Sequence, residues 1–257
     1  MEKPLMNRRQ LLTGAVAAVL SSCQKTGEKR ALPGIEFAET TVNNLSFTAI
    51  ILDLRLAYLE VVDKPGGPDS SWQSAQEVVE AKSGLAAING GFFTPEGAPL
   101  GLVETPAGSV GGVNRQTSLG NGFFLDIPPG IIPRRDLPKY QKKATHILQA
   151  GPLLIHNGEI PNLQRGDSSR LRSLLLSNGG TKMALMTSGP AALPDLAQAL
   201  HQQPFQDKKL TIKHALNLDG GSSTDLWVAP ALTGQAIQRG SLFRKPVRNY
   251  LLLKSIS

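Results

Sequence analysis

Asp219 ends the apolar run Leu216-Asn217-Leu218 and is followed by Gly220-Gly221-Ser222-Ser223-Thr224. A carboxylate at the end of a strand, with glycines behind it, meets backbone N–H groups that no Cβ covers. Such a group can act as a base toward water or stabilise a cationic centre. The same residue type also caps turns, and its identity alone does not separate the two roles. Two further apolar runs end in small polar turns, Ile88-Asn89-Gly90-Gly91-Phe92-Phe93 and Gln149-Ala150-Gly151-Pro152. Each by itself reads as an ordinary turn; three in one domain predict the walls of one anion-binding site.

Other chemistries find no foothold. No Gly-x-x-x-x-Gly-Lys-Ser/Thr loop is present, and Gly120-Asn121-Gly122 lacks the third glycine of a dinucleotide fingerprint. Gly220-Gly221-Ser222-Ser223-Thr224 has Thr where a nucleophile elbow needs its second Gly. His146, His156, His201 and His214 form no pair at metal-ligand spacing on a predicted helix, so no metal site and no cofactor is expected. The absence of a His/Asp cluster also argues against two-metal cleavage of a P–O bond. His156 follows the Gln149 turn closely enough to approach the site or to be structural. The single cysteine, Cys23, excludes a disulfide framework, a Cys-ligated zinc and a thiol nucleophile inside the domain.

The elements that must hold these turns are short apolar runs punctuated by Gly, Pro and Asn. Strands are expected over Leu45–Leu54 and Ala57–Val62 as a pair, then Leu85–Ile88, Gly101–Glu104, Gly122–Asp126, His146–Gln149 and Leu153–His156. Further strands are expected at Ser173–Leu176, Met183–Thr187, Lys213–Leu218, Asp225–Val228 and Val247–Leu253. Two helices are expected, Ser71–Lys82 capped by Ser70 or Ser71, and Ala192–His201 with Leu193, Leu196, Ala197 and Leu200 on one face. The prediction is an α+β fold: one domain of mixed, mainly antiparallel β-sheet with about two flanking helices. In each of the pairs Phe92-Phe93 and Phe123-Phe124 one ring should face the core, leaving the other to stack on a ligand.

Residues 1–22 have the parts of an export signal: Arg8 and Arg9, an apolar run from Leu11 to Leu20, and the lipobox-like Leu20-Ser21-Ser22-Cys23. The apolar run has roughly half the ~20 residues a spanning helix needs. Asn7-Arg8-Arg9-Gln10-Leu11-Leu12 resembles a twin-arginine signal except at Asn7. Cys23 is expected to carry lipid, residues 23–34 to form a polar tether, and 35–257 to form the domain, exported and facing the periplasm or the cell surface. The chain carries a net charge of +7, of which the leader's three bases and one acid account for two. The remaining excess suits an anionic ligand or membrane surface, while the scattered bases do not suit nucleic acid. No obligate protein partner is indicated.

Asn89-Gly90-Gly91-Phe92-Phe93, Pro99-Leu100-Gly101-Leu102, Gly120-Asn121-Gly122-Phe123-Phe124, Gln149-Ala150-Gly151-Pro152 with Asn157-Gly158, Ser169-Arg170-Leu171-Arg172 and Asn217-Leu218-Asp219-Gly220-Gly221 follow one another in this order. In that order they resemble the phosphodiester glycosidase family, from about Asn89 to the C-terminus. The resemblance implies a hydrolase that frees a sugar from its phosphodiester, on N-acetylglucosamine-1-phosphodiester-like or related bonds; a non-catalytic lipoprotein binding a phosphoglycan or sugar phosphate is the alternative. It implies catalysis by Asp219 with Arg172, which with Arg170 beside it would clamp phosphate bidentately or stand exposed. Asn89, Gly90, Gly91, Gln149, Gly151, Arg170, Asn217, Gly220, Gly221, Ser222 and Ser223 would bind substrate. This chain departs from the family pattern after the arginine, where Ser173-Leu174-Leu175-Leu176 replaces a small residue and glycine, so which of Arg170 and Arg172 faces the ligand stays open. Ordinary glycosidases use two carboxylates; Asp126, Asp225 and Glu104 are held as candidates for the second.

Overall fold

The computed structural model describes residues 32–163 and 168–256. The leader, Cys23 and the tether through residue 31 lie outside the described residues. In chain order the elements are β1 (Ile35–Val42), β2 (Leu45–Asp53), β3 (Ala57–Asp63), α1 (Ala75–Lys82), β4 (Ala86–Asn89), β5 (Val103–Thr105) and β6 (Gly108–Val110). They continue with β7 (Gly122–Asp126), β8 (Pro129–Pro133), α2 (Leu137–Tyr140), β9 (Ile147–Ala150), β10 (Leu153–His156), β11 (Arg170–Ser177) and β12 (Lys182–Ala191). The last are α3 (Leu193–His201), β13 (His214–Asn217), β14 (Asp225–Val228), α4 (Pro230–Thr233), β15 (Ile237–Gly240) and β16 (Asn249–Ser255).

The strands form three antiparallel sheets: β1-β2-β12-β11-β13-β10, β15-β14-β4-β16-β3, and β6-β5-β9-β7-β8. Their inner faces share one core, in which Ile50, Leu185 and Leu175 of the first sheet meet Ile88, Leu226 and Leu251 of the second and Phe124 and Leu148 of the third. Each fully buried Leu or Ile contributes about 1.5–3 kcal/mol to folding. Helices cover the outer faces. α3 lays Leu196, Ala197 and Leu200 on the first sheet, α1 packs Val78 and Val79 against Ala87 and Tyr250, and the single turn α2 sets Leu137 beside Phe123 and Ile147. The fold class is therefore α+β, with α1 and α3 as the two longer helices.

Two expectations are corrected. The runs at 45–54 and 57–62 are not a strand pair: β2 lies between β1 and β12 in the first sheet, whereas β3 pairs with β16 in the second. β1 went unread because its Glu and Thr residues alternate with half-buried positions, as befits an edge strand. Its turn was visible: Asn43 and Asn44 both adopt left-handed φ, 51° and 62°, in the two-residue connection that joins Val42 to its partner Leu45. α1 starts four residues later than expected, because Ser74 is its cap, accepting from the Glu77 amide.

Candidate active site

The ends of β4, β9 and β13 and the starts of β11, β14 and β16 meet at one edge of the sheets, which brings the three glycine turns together. Asn89 Nδ2 donates to the Asp219 carbonyl at 2.7 Å, and the Asp219 amide returns a bond to the Gly90 carbonyl at 3.0 Å. Asn89 Oδ1 accepts from the Ser173 hydroxyl at 2.5 Å and the Asp225 amide at 3.1 Å. Asn217 Nδ2 donates to the Gly151 carbonyl at 2.9 Å, tying the second turn to the third. A Cβ on Gly91 would stand 2.7 Å from the Gln149 carbonyl, so the first and second turns touch as well. Glycine is required at Gly90 for a related reason: its Cβ would fall 2.1 Å from Asn249 Oδ1.

Asp219 is half-buried at the point where these turns converge. Burial pushes its carboxyl above the usual carboxylate range, against the opposing pulls of the Ser223 hydroxyl, the Gly220 amide and the nearby Arg170 charge. The Gly220 amide reaches Oδ1 at 2.9 Å. Gly221 turns the chain at φ 63° into a short 3-10 turn, Gly221–Ser223, that leaves Ser222 exposed. The local fold thus presents an acid of elevated affinity for protons beside hydroxyl and amide donors, which suits proton transfer.

The arginines differ in environment. Arg172 is buried, its Nε donating to the Ala191 carbonyl at 3.0 Å and its Nη2 to the Ser168 carbonyl at 2.9 Å. Arg170 is exposed, bonded through Nε to the Ser168 hydroxyl at 2.6 Å, and its charge acts on Asp219. The glycines of the third turn lie over both stems: a Cβ on Gly220 would be 3.6 Å from Arg172 Cδ, and one on Gly221 would be 3.9 Å from Arg170 Cδ. Arg170 is the guanidinium open to solvent beside the carboxylate, and Arg172 braces the loop beneath it.

Several residues expected to meet ligand directly are instead bonded within the protein. The Gly90 and Gly91 amides donate to the carbonyl and Oδ1 of Asn249, both at 2.8 Å. Gln149 Oε1 accepts from the Leu102 and Asn114 amides, and Nε2 donates to the Asn114 and Gly120 carbonyls, so all its polar atoms are engaged. Gly151 makes a close backbone passage, where a Cβ would lie 2.3 Å from the Ser118 carbonyl. These residues build the walls from behind. Asn217 Oδ1, Thr224 Oγ1 and Asn249 Nδ2 are buried at this edge without a hydrogen-bond partner.

Of the reserve carboxylates, Asp126 and Glu104 lie elsewhere, while Asp225 starts β14 at the site edge with its side chain engaged by other elements. Asp225 points to the start of α1, accepting from the Ala75 amide at 2.7 Å, with Arg244 at 3.3 Å. Asp126 closes a turn on Thr145 and His146, and Glu104 sits on β5 opposite Ile147. His156 lies at the far end of the β10–β13 pair, its ring centroid 5.2 Å from that of His214. Phe123 and Phe124 both belong to the core, on opposite faces of the third sheet, so neither is left for a ligand.

Sequence reading missed Asn249 and its support. Arg248 forms a buried two-pronged pair with Asp63, both contacts 2.9 Å, and donates to the Gly97 carbonyl at 3.0 Å, fixing the start of β16. The signal was an asparagine at a strand end, as at Asn89 and Asn217, but without the glycines that drew attention to those two. Ser173 was read only as part of a strand. It belongs to a cross-strand row of hydroxyls, Thr48 opposite Thr187 opposite Ser173, that replaces the apolar core one layer from the edge. Thr48 and Thr187 line a cleft of about 160 Å³ together with Leu171, Thr224 and Gly240.

Comparison with known proteins gives the family and the fold. The family described as phosphodiester glycosidase matches over residues 83–254. The fold is similar to the catalytic domain of zebrafish N-acetylglucosamine-1-phosphodiester alpha-N-acetylglucosaminidase, auto-inhibited by its pro-peptide, with a TM-score of 0.58 and 16% identity over 86% of this chain and 82% of that one. It is equally similar to a hypothetical protein from Synechocystis, at a TM-score of 0.58 and 19% identity over 86% of this chain and 62% of that one, so the present chain spans less than two thirds of that protein's length. These likenesses establish a shared fold. Among curated proteins, none matches the sequence.

Proposed function

We propose, from the premise that this chain belongs to the phosphodiester glycosidase family, that it hydrolyses the bond between an anomeric carbon and a phosphodiester oxygen. The observation that carries the reading is Asp219: a half-buried carboxyl of raised proton affinity, set where three glycine turns converge and flanked by Ser223 and the exposed Arg170. Water would add to the anomeric carbon as the C–O bond breaks, giving free sugar and a phosphomonoester. Asp219 takes the proton from that water or faces the oxocarbenium-like centre. Arg170 faces the phosphate, a weakly basic leaving group whose developing charge the guanidinium stabilises, so that it departs without a second acid. That division of labour is consistent with one carboxylate at the site, the others being bonded elsewhere.

The zebrafish relative's name directs the first substrates toward N-acetylglucosamine-1-phosphodiesters. The leader supports an exported, lipid-anchored protein of the bacterial envelope, with Cys23 as the modified residue. The test is hydrolysis of a panel of sugar-α-phosphodiesters by the wild-type chain and by Asp219→Asn in water enriched in oxygen-18. Label in the free sugar, lost in the variant, supports the reading. Label in the phosphate means P–O cleavage, and tight binding without turnover across the panel means a binding lipoprotein; either would overturn it.

A further inference from the structure

The segment between β15 and β16 carries the most exposed large apolar side chains of the described residues, Leu242 at 97% and Phe243 at 86% of full exposure. They are followed directly by Arg244 and Lys245, and no acidic residue lies between Gly240 and Val247. The segment is strapped to the candidate site. The Ser241 amide donates to the Thr224 carbonyl at 2.9 Å and the Lys245 amide to the Ser222 carbonyl at 3.2 Å, while Arg244 holds Asp225. An apolar tip presented so fully to water is costly unless something covers it.

We propose that Leu242 and Phe243 insert into the interface of an anionic lipid bilayer, with Lys245 and the exposed part of Arg244 against its headgroups, so that the turn bearing Asp219 faces the membrane. Two bulky apolar residues beside two cations match the amphipathic boundary of a bilayer better than they match water or a purely polar polymer. The chain's net charge of +7, less the two carried by the leader, has the same sign. Chain length allows it too. β1 runs toward the site edge, so Leu32 lies about 26 Å back along its eight residues. The nine steps from Cys23 to Leu32 span about 30 Å when extended, enough to return an anchor to the same plane. The inference deepens the functional reading by pointing to a lipid-borne diester, but its test reads the loop and not the chemistry, so either can fail alone.

Leu242→Trp, made in the whole chain, reports the tip directly once wild-type emission from Trp72 and Trp227 is subtracted. On vesicles of phosphatidylethanolamine with phosphatidylglycerol, its emission should shift to the blue and be quenched by lipids brominated on the acyl chain. Adding Phe243→Ser and Lys245→Gln should raise the lipid concentration for half-maximal shift by about fivefold or more, the share of one basic residue, with the thermal melt unchanged. Sedimentation with vesicles without a shift from the introduced tryptophan would overturn the proposal, since the chain would then bind through another segment. An equal shift on pure phosphatidylcholine, or a shift on adding sugar phosphate without lipid, would overturn it as well, the latter marking the segment as a cover for the site.

Discussion

Asn89 Nδ2 donates to the backbone carbonyl of Asp219 at 2.7 Å, across 130 residues of sequence. The asparagine is fully buried and holds three partners from three elements: Asp219, Ser173 and Asp225. Its work is to place the carboxylate turn against the end of β4.

Removing it should therefore act on stability before it acts on binding. Asn89→Ala strands a carbonyl, a hydroxyl and an amide, each worth about 1–3 kcal/mol when buried and unpaired. Even at the lower bound of about 3 kcal/mol the expected drop in melting temperature is about 6–12 °C, with KM on any surviving activity unchanged. A variant that melts like wild type but loses affinity would place the Asn89 carboxamide on the ligand.

Asp219→Asn should trade activity for stability. Loss of the proton-transferring carboxylate should lower kcat by about 10²–10⁴-fold. Its folded-state pKa is raised, so the wild-type side chain favours folding when protonated and costs stability as pH rises above the ordinary aspartate range, where the folded protein must hold a buried charge. The Asn variant lacks this loss. Melting curves from about pH 3.5 to 8 should show the variant gaining on wild type as pH rises; parallel curves would mean that Asp219 is not desolvated.

The two arginines should separate cleanly. Arg170→Ala removes an exposed guanidinium and should leave folding stability within about 0.5 kcal/mol, while KM for a phosphodiester rises roughly 10–100-fold, as for one lost charge-assisted bond. Arg172→Ala removes donors from the Ala191 and Ser168 carbonyls and should cost about 2–3 kcal/mol of stability. If the phenotypes are exchanged, the buried arginine is the phosphate ligand.

His156 and His214 give the fold an acid sensitivity remote from the site. Burial lowers the pKa of both, helped by Arg135 at His156 and by the mutual repulsion of the pair at His214. In the unfolded chain each takes up a proton near the ordinary value of about 6.5; in the folded chain each does so only at lower pH. Stability is then fully present above that range and declines as pH falls through it. His214→Gln should flatten the decline in melting temperature between about pH 7 and 5, measured by calorimetry; an unchanged slope would place the acid sensitivity elsewhere.

Most strands were legible because each central one carries a continuous apolar run, as β2 and β12 do with both faces buried. β1, β6, β8 and β15 were not, since each is an edge strand that buries one face or none and is held on one side only, by the strand next to it in sequence. The third turn was legible for a similar local reason: Leu218-Asp219-Gly220-Gly221 states in four residues a strand end, a charge and freedom from side-chain clashes. By contrast, Asn249 bonds two glycines' backbones, one of them 158 residues away, and nothing in Arg248-Asn249-Tyr250 announces that partnership.

The sequence by itself determined the α+β class, the three glycine-marked turns and the position of a carboxylate, Asp219, in the third of them, because apolar periodicity and glycine's lack of a Cβ act over a few residues. Only the tertiary structure decided which polar groups remain for a ligand. Arg170 is open while Arg172 is bonded to carbonyls, and Asn89, Gln149 and the Gly90–Gly91 amides are engaged within the walls. A hydrogen bond made across a long stretch of chain consumes a donor that the local sequence shows as free, and that loss is visible only once the sheets have closed.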